Sequence, residues 1–292
     1  MELNRPSVIV ALLTPFDDSG DLDEAALGAH VDYLVDGGAD ALMPCGTTGE
    51  GALLADVEVA ETVRATCAAA GGRVPVLAHV GRPGTGPTLA LARQVVEQGA
   101  DAVSAVVPYY YPADDDQIRA HYAALVEGLE GTPVYGYTIP ERTGNELNPA
   151  LLGALIADGL AGLKDSTKSI ERHREYAAAV REAGGGGFDL FMGSASLVLE
   201  AFRAGAAGAV LAIANVWPEL CVELARAQRE DREDDAERLQ QELAAVEADV
   251  HRDGAIRGLK RRTRERLREH GVSYGVELRA PLGRAGRAVA QR

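Results

Sequence analysis

Residues 102–137 read AVSAVVPYYYPADDDQIRAHYAALVEGLEGTPVYGY, and this stretch indicates the fold. An apolar run over 102–107 precedes an amphipathic segment over 116–129, and a second apolar run covers 133–137. Short apolar runs predict buried strands, and apolar residues at helical spacing predict a helix that packs on them. The stretch therefore predicts a strand–helix–strand unit whose two strands are parallel.

The same alternation continues along the chain from residue 8. The other predicted strands cover 8–13, 39–44, 74–79, 161–164, 188–192 and 208–212. The other predicted helices cover 24–35, 56–70, 87–98, 149–157, 169–183 and 195–204, and the last begins near Pro218. Eight strands alternating with eight helices predict an α/β protein, a (β/α)8 TIM barrel, because right-handed crossovers close such a sheet on itself. An open, doubly wound sheet is the alternative.

The pattern changes after residue 229. Residues 230–253 and 255–270 predict two charged amphipathic helices, the first beginning acidic and the second basic. A basic helix could contact RNA, but in so acidic a chain solvated faces or an oligomer contact are favoured. We therefore predict a barrel over 1–229 and a C-terminal helical region over 230–292.

Composition excludes several classes of partner. The net charge is −15 at pH 7, and nucleic acids and anionic membranes bind basic surfaces, so we expect neither as a partner. Cys45, Cys67 and Cys221 lie far apart and at no metal-binding spacing, which favours free thiols in a reducing compartment. No apolar stretch is long enough to span a membrane, and residues 8–13 are too short for a signal peptide. We expect a cytoplasmic protein.

Lysine is rare in this chain. It occurs only as Lys164, Lys168 and Lys260 among 29 basic residues. An amine can lose its proton and attack a carbonyl, whereas a guanidinium effectively cannot. The preference for arginine over lysine indicates that a lysine in this chain is needed for its amine. The alternative is that the three lysines are present by chance.

Lys164 ends the sixth predicted strand, and in a barrel the reactive side chains follow the carboxyl ends of the strands. Burial at the barrel mouth disfavours the ammonium charge and frees the amine for nucleophilic attack. A structural ion pair is the alternative. The nearest charge, Asp165, should point to the opposite face of the strand, because side chains alternate along a strand.

The second predicted strand runs into Gly46-Thr47-Thr48-Gly49-Glu50. Two glycines around two threonines predict a tight turn whose N–H groups and hydroxyls converge on one anion, such as the carboxylate of a keto acid. In the alternative interpretation this is a plain turn in which the threonine hydroxyls satisfy the backbone.

Aromatic and basic residues follow the fourth and fifth strands. Tyr109, Tyr110 and Tyr111 lie between two prolines, where they present phenols at the mouth or pack at an interface. Tyr137 ends the fifth strand, where a phenol can relay protons. Arg142 can bind a carboxylate through two hydrogen bonds, with a surface ion pair as the alternative.

Two further strand ends carry weaker signals. Gly193 and Ser194 follow the seventh strand, where some barrels bind phosphate, but Ser194 is more simply a helix N-cap and no basic residue lies nearby. His79 ends the third strand with no second ligand at metal spacing, so we expect no metal.

These residues in this order resemble one family, the pyruvate-dependent class I aldolases typified by dihydrodipicolinate synthase and N-acetylneuraminate lyase. The likeness covers the whole chain. It is carried by residues 14–16 (Thr-Pro-Phe), 46–50, 108–110, 137–144 and Lys164. The resemblance implies a lyase without cofactor or metal that joins pyruvate to an aldehyde, or catalyses the reverse cleavage.

The resemblance also implies residue roles. Lys164 would form the imine with pyruvate, and Tyr137 would relay protons with Thr47 and with Tyr110, which in the family crosses from a neighbouring subunit. Arg142 would bind the carboxylate of aspartate semialdehyde. The implied substrate-binding residues also include Gly46, Thr47, Thr48, Gly193 and Val210. The family is usually a homotetramer, a dimer of dimers.

Three functions remain open. The chain is most similar to a 4-hydroxy-tetrahydrodipicolinate synthase acting on aspartate semialdehyde. However, residues 109–112 and 162–165 are closer to the 2-keto-3-deoxy-sugar-acid aldolases of the same family. A non-catalytic barrel that binds a keto acid is the third possibility, but it would need neither the amine nor the phenols.

Overall fold

The computed structural model describes residue 3 and residues 5–283, and its centre is a barrel of eight parallel strands. The strands are hydrogen-bonded in the order β2-β1-β8-β7-β6-β5-β4-β3, and a bridge between Leu42 and Val76 joins β2 to β3 and nearly closes the ring. The predicted α/β TIM barrel is therefore confirmed. The strands are β1 (Ser7–Ala11), β2 (Ala41–Met43), β3 (Leu77–His79), β4 (Ala102–Val106), β5 (Val134–Thr138), β6 (Gly162–Asp165), β7 (Asp189–Met192) and β8 (Gly208–Leu211).

Helices follow the strands and cover the outside of the barrel. They are α1 (Glu24–Asp36), α2 (Asp56–Ala70), α3 (Thr85–Glu97), α4 (Asp115–Gly128), α5 (Pro140–Thr143), α6 (Pro149–Ala157), α7 (Ile170–Glu182), α8 (Val198–Arg203), α9 (Pro218–Arg229), α10 (Glu233–His251) and α11 (Ala255–Glu269). Two details differ from the prediction. The four-residue helix α5 was not predicted, because its length gives no periodicity to detect. The predicted helix 195–204 begins as a 3-10 turn over Ala195–Leu197 before α8.

Side chains alternate between the two faces of every strand. Inward-facing residues form an apolar cluster inside the barrel, whereas outward-facing residues pack under the helices in two larger clusters. The interior cluster includes Ile9, Ala11, Ala41, Met43, Leu77, Ala102, Tyr135, Phe191 and Val210. The barrel is thus a packed core, and its carboxyl-end mouth is where a ligand can enter.

The amino end of the barrel is filled by polar side chains that satisfy one another. Asp189 is buried, accepts a hydrogen bond of 2.9 Å from the Tyr135 hydroxyl, and forms an ion pair with Arg5. Gly162 makes room for this group, because a Cβ at that position would come within 2.4 Å of the Asp189 carbonyl oxygen and 2.6 Å of the Tyr135 ring.

The two C-terminal helices pack against the barrel. Leu239, Leu243 and Val250 of α10 and Leu259 of α11 belong to the same buried apolar cluster as residues of β1, β8 and α1. A boundary between residues 229 and 230 stays a prediction. In the part of the chain that the structure describes, none of the helices has both the length and the apolar character needed to span a membrane.

Candidate active site

Lys164 lies on β6 beside Tyr137 of β5, and the two residues are register partners. Both side chains point inward, and the Lys164 Nζ lies 4.3 Å from the centroid of the Tyr137 ring. Across the barrel the same atom is 4.0 Å from the Met43 Sδ. The lysine side chain is buried, with 6% of its surface exposed. A buried amine therefore faces an aromatic ring and a thioether.

Lys164 has no acidic partner within 4.0 Å among the described residues. Asp165 points outward, as expected from strand alternation, and its Oδ2 lies 2.9 Å from the Nδ1 of buried His173 on α7. The other two lysines are paired: Lys168 with Glu141, and Lys260 with Glu50. Of the three, Lys164 is thus the buried lysine outside an ion pair.

Thr47 meets Tyr137 at the barrel mouth. The Thr47 Oγ1 and the Tyr137 hydroxyl are 3.3 Å apart, and either can donate the hydrogen bond. The turn that carries Thr47 is held tightly by its own backbone, since the Gly51 N–H donates to the Gly46 carbonyl at 3.1 Å. A Cβ on Gly51 would lie 1.6 Å from the Cys45 carbonyl oxygen, so only glycine fits there.

Thr47 and Tyr137 border a cavity of about 290 Å³ at the mouth. Lys164 is outside its lining and lies against the ring of Tyr137, which is part of it. The full lining comprises Gly46, Thr47, Glu50, Ala52, Leu53, His79, Gly81, Val106, Tyr109, Tyr137, Ile139, Arg142, Thr143, Ile256 and Leu282. This volume suits a small organic acid together with a short second substrate.

Arg142 brings a positive charge to this cavity. The short helix α5 begins with Pro140, and the Arg142 N–H donates to the Ile139 carbonyl at 2.9 Å, which fixes the backbone beneath the side chain. Among the described residues, no carboxylate lies within 4.0 Å of its guanidinium, whereas neighbouring Glu141 pairs with Lys168. The surface ion pair considered from the sequence is therefore not formed, and the guanidinium is available to a ligand.

Tyr110 does not reach the cavity of its own chain. Its backbone has a φ of 78°, and its side chain is 81% exposed. Tyr111 is also exposed, and the two rings meet edge to face with centroids 4.9 Å apart. Tyr109 is the tyrosine of this loop that lines the cavity.

The other predicted substrate-binding residues lie near the site but do not line the cavity. Thr48 is half-buried next to Thr47. Gly193 joins the ends of β6 and β7, where its N–H donates to the Asp165 carbonyl at 2.7 Å. Val210 of β8 belongs to the apolar interior of the barrel. Their roles as substrate-binding residues stay predictions.

Glu50 and Lys260 form a buried ion pair that was not predicted from the sequence. The Lys260 Nζ is 2.7 Å from the Glu50 Oε1 and donates to the Glu277 carbonyl at 2.7 Å. The Arg279 N–H donates to the other Glu50 oxygen at 2.7 Å. Burial lowers the pKa of Lys260, against the opposing effect of Glu50. The pair connects the threonine turn to α11. Ile256 of α11 and Leu282, which lies after this helix, also line the cavity.

His79, whose position in the sequence suggested at most a metal ligand, also lines the cavity. Its ring meets that of Tyr137 edge to face, with centroids 5.7 Å apart. Within the described ranges, no group of three or more His, Cys, Asp or Glu side chains is placed to hold a metal ion. The position of His79 at a strand end was the signal that could have marked it as a ligand-facing residue.

Comparison with known proteins agrees with the resemblance found in the sequence. The model of the "Dihydrodipicolinate synthetase family" matches residues 4–291. An uncharacterised DapA-like lyase of Halobacterium salinarum is 37% identical over 259 residues, which cover 88% of this chain and 83% of the relative. A 4-hydroxy-tetrahydrodipicolinate synthase of Methylococcus capsulatus is 35% identical over 243 residues, which cover 83% and 82% of the two chains.

A solved structure shows the same architecture. YagE, a prophage protein of the dihydrodipicolinic acid synthase family from E. coli K12, was crystallised in complex with pyruvate. It superposes with a TM-score of 0.87 at 25% identity, over 94% of this chain and 92% of that one.

Proposed function

Because the chain belongs to the dihydrodipicolinate synthetase family, we propose that it is a pyruvate-dependent class I aldolase whose Schiff-base nucleophile is Lys164. The observation that carries this proposal is the environment of Lys164. Its amine is buried at the carboxyl end of β6, has no acidic partner among the described residues, and contacts the ring of a tyrosine that lines the cavity. An amine that is not held in an ion pair is free to attack a carbonyl carbon.

The reaction follows from this arrangement. The amine of Lys164 attacks C2 of pyruvate, and the former carbonyl oxygen takes one proton from the amine and one from the Tyr137 hydroxyl before it leaves as water. The protonated imine withdraws electrons, so a methyl proton passes to the Tyr137 phenolate and an enamine forms. The enamine carbon attacks the aldehyde carbonyl, whose oxygen takes that proton from the Tyr137 hydroxyl. Water then releases the product and restores the amine, and each step is reversible.

Tyr137 is the proton carrier in this scheme, and Thr47 is its partner. Their hydroxyls are 3.3 Å apart, so a proton moved by one can be replaced from the other. The threonine turn also offers N–H groups to the pyruvate carboxylate. Because this turn and Lys164 meet at Tyr137, one bound pyruvate could contact the turn with its carboxylate and the amine with its C2.

Borohydride trapping tests the nucleophile directly. Reduction in the presence of pyruvate should add one pyruvate-derived group to the protein, on the peptide that contains Lys164, as measured by intact mass and peptide mapping. Lys164→Ala should show no adduct. Lys168→Ala is the matched control, since that lysine is exposed and paired with Glu141, and it should be labelled like the parent. An unlabelled parent protein would reject the Schiff base.

Arg142 supports an acceptor aldehyde that carries a carboxylate, of which aspartate semialdehyde is the example that the named synthases suggest. Removal of a charge-assisted hydrogen bond of this kind costs about tenfold to a hundredfold in affinity. Arg142→Ala should therefore raise KM for aspartate semialdehyde by that factor and leave glyceraldehyde unaffected. Arg174→Ala, an exposed arginine paired with Glu200, is the control. An unchanged KM would favour the sugar-acid aldolase.

The exposed Tyr110 supports an oligomer in which this residue completes the relay of a neighbouring copy. Mixed subunits test this. A subunit with Tyr137→Phe paired with a subunit with Tyr110→Phe forms one doubly altered site and one intact site, so activity should return when two inactive variants are mixed and reassembled. No return of activity in verified mixed oligomers would show that each chain works alone.

A further inference from the structure

The threonine turn, residues 46–50, is bounded on both sides by unfavourable backbone. Cys45, just before it, and Glu50, its last residue, both have a φ of 60°. This is the left-handed region, which residues with a Cβ adopt rarely. Such conformations persist only where the surrounding structure holds them, and they are concentrated at functional sites. Contacts outside the turn must therefore keep it in shape.

The C-terminal region supplies these contacts at Glu50. The Glu50 side chain is fully buried, and residues that follow the barrel contact both of its carboxylate oxygens. The Lys260 Nζ lies 2.7 Å from Oε1, and the Arg279 N–H donates to Oε2 at 2.7 Å. We call Glu50, Lys260 and Arg279 the clasp. It ties the end of the turn to α11 and to the segment after this helix.

The two basic residues of the clasp are themselves anchored to the barrel. The Lys260 Nζ donates to the Glu277 carbonyl at 2.7 Å and lies 4.3 Å from the centroid of the Phe16 ring. The Arg279 guanidinium lies 4.5 Å from the same ring and pairs with Glu58 of α2 at 2.7 Å. Because Phe16 follows β1 and Glu58 belongs to α2, the clasp holds Glu50 against a fixed frame.

The clasp acts on the residue that meets the proton carrier. The Glu50 N–H donates to the Thr47 carbonyl at 3.3 Å, and the Thr47 Oγ1 lies 3.3 Å from the Tyr137 hydroxyl. A shift of Glu50 would therefore move Thr47 and the N–H groups of the turn. The Glu50 carboxylate has no exposed surface, so it acts through the turn and not on a ligand.

We propose that Glu50 and Lys260 are positioning residues, whose ion pair holds the threonine turn in the conformation that binds the carboxylate of pyruvate. Helix α11 thereby sets the affinity for pyruvate without contacting it. This inference rests on the proposed aldolase function, because it assigns the residues that preorganise the carboxylate site of that reaction. An ion pair that only stabilises the fold can be replaced by uncharged side chains, whereas a positioning pair cannot.

Borohydride trapping over a range of pyruvate concentrations, without any aldehyde, tests the proposal. The fraction of chains labelled gives a half-saturating concentration and a plateau. Combining Glu50→Gln with Lys260→Met removes the ion pair without leaving a buried charge, and thermal unfolding verifies that this variant is folded. Its half-saturating concentration should rise about tenfold, the effect of one weakened hydrogen bond to a charged group, with the plateau unchanged. Lys260→Met alone should show the same rise.

Leu243→Ala of α10 is the matched control, because it destabilises the C-terminal helices by removing a buried side chain outside the clasp. It should bind pyruvate like the parent. A double variant with the half-saturating concentration of the parent, whether or not its plateau falls, would overturn the positioning role and leave the aldolase standing. Failure of the parent to form any adduct would instead remove the function on which the inference rests.

Discussion

Tyr137 contacts three of the polar side chains at the barrel mouth: its ring lies against Lys164, its hydroxyl meets Thr47, and its edge meets His79. The contacts to Lys164 and Thr47 concern residues to which the resemblance assigns chemistry. The third concerns a residue that the resemblance leaves without a role. Because one ring joins all three, its hydroxyl can be removed to test the relay while the packing of the ring is kept.

Tyr137→Phe should lower kcat by about a hundredfold or more, the usual effect of removing a general acid–base group, with little change in stability. Steady-state kinetics and thermal unfolding measure the two effects. Tyr135→Phe is the matched control, because it removes a phenol two residues earlier on β5, at the closed end of the barrel. Normal turnover in Tyr137→Phe would contradict the assignment.

The single residues of the site differed in how far the sequence could predict them. The convergence of strand ends at one barrel mouth predicted Lys164, Thr47, Tyr137 and Arg142. In the structure Thr47, Tyr137 and Arg142 line one cavity, and Lys164 lies against the Tyr137 ring. His79 stands at an equivalent strand end but was judged only by metal spacing. Its buried, unpartnered nitrogen depends on neighbours from other strands, which the local sequence does not reveal.

At the level of elements, Gly162, the first residue of β6, sets the position of Lys164 along the barrel axis, because it allows β6 to pack closely between β5 and β7. A side chain there would collide with the Asp189 carbonyl oxygen and the Tyr135 ring, so β5, β6 and β7 pack closely only around glycine. These contacts lie two residues below the amine, and their loss would displace the strand that positions it.

Gly162→Ala should reduce the free energy of unfolding by about 1–3 kcal/mol, the cost of overpacking a tight core. Urea denaturation measures it. Gly153→Ala in α6 is the control, because the nearest atom to its added Cβ is the Ala183 Cβ at 3.9 Å. That variant should be as stable as the parent or more stable by about 0.5–1 kcal/mol, since alanine favours helix. Equal effects at both positions would refute the packing argument.

Most elements could be predicted because strands and helices of the barrel have different hydrophobic periods. The elements that escaped prediction are short. Helix α5 has four residues, and its position depends on Pro140 and on hydrogen bonds to the end of β5. Arg142 was therefore expected in a loop, while the structure places it on a helical turn.

At the scale of the whole molecule, the buried pair of Glu50 and Lys260 joins the turn after β2 to α11. Removing one partner of a buried ion pair leaves an uncompensated charge, and Lys260→Met should cost about 3–5 kcal/mol of stability. Combining it with Glu50→Gln removes that charge and should restore most of the loss. Denaturant unfolding of the parent, the two single variants and the double variant measures the coupling. A double variant no more stable than Lys260→Met would show that the charges do not interact.

Buried histidines predict how the stability of the whole fold responds to acid. Burial lowers the pKa of His30 and of His121 to about 4, so each stays neutral in the folded protein while the unfolded chain binds a proton near pH 6.5. The stabilisation is complete above pH 6.5 and falls by about 1.4 kcal/mol per pH unit for each histidine between pH 6.5 and 4. His30→Gln should make the fall shallower by that amount. An unchanged slope in unfolding measurements would contradict the assignment.

The barrel could be predicted from the order of its elements, but the contribution of the C-terminal helices to the cavity could not. Charged periodicity predicted α10 and α11, and it gave no means of choosing which barrel face they cover. The Glu50–Lys260 contact joins residues that are distant in sequence, and contacts of that kind depend on the assembled fold.

The C-terminal residues that complete the site, Lys260, Ile256 and Leu282, follow all eight strands in the sequence. They therefore leave the ribosome after the strands. Until they emerge, the eight strands can assemble, but the Glu50 carboxylate has no cation beside it and one side of the cavity is missing. Nascent chains arrested when β8 has left the exit tunnel, but α11 is still inside it, should therefore acquire barrel structure without the ability to turn over substrate.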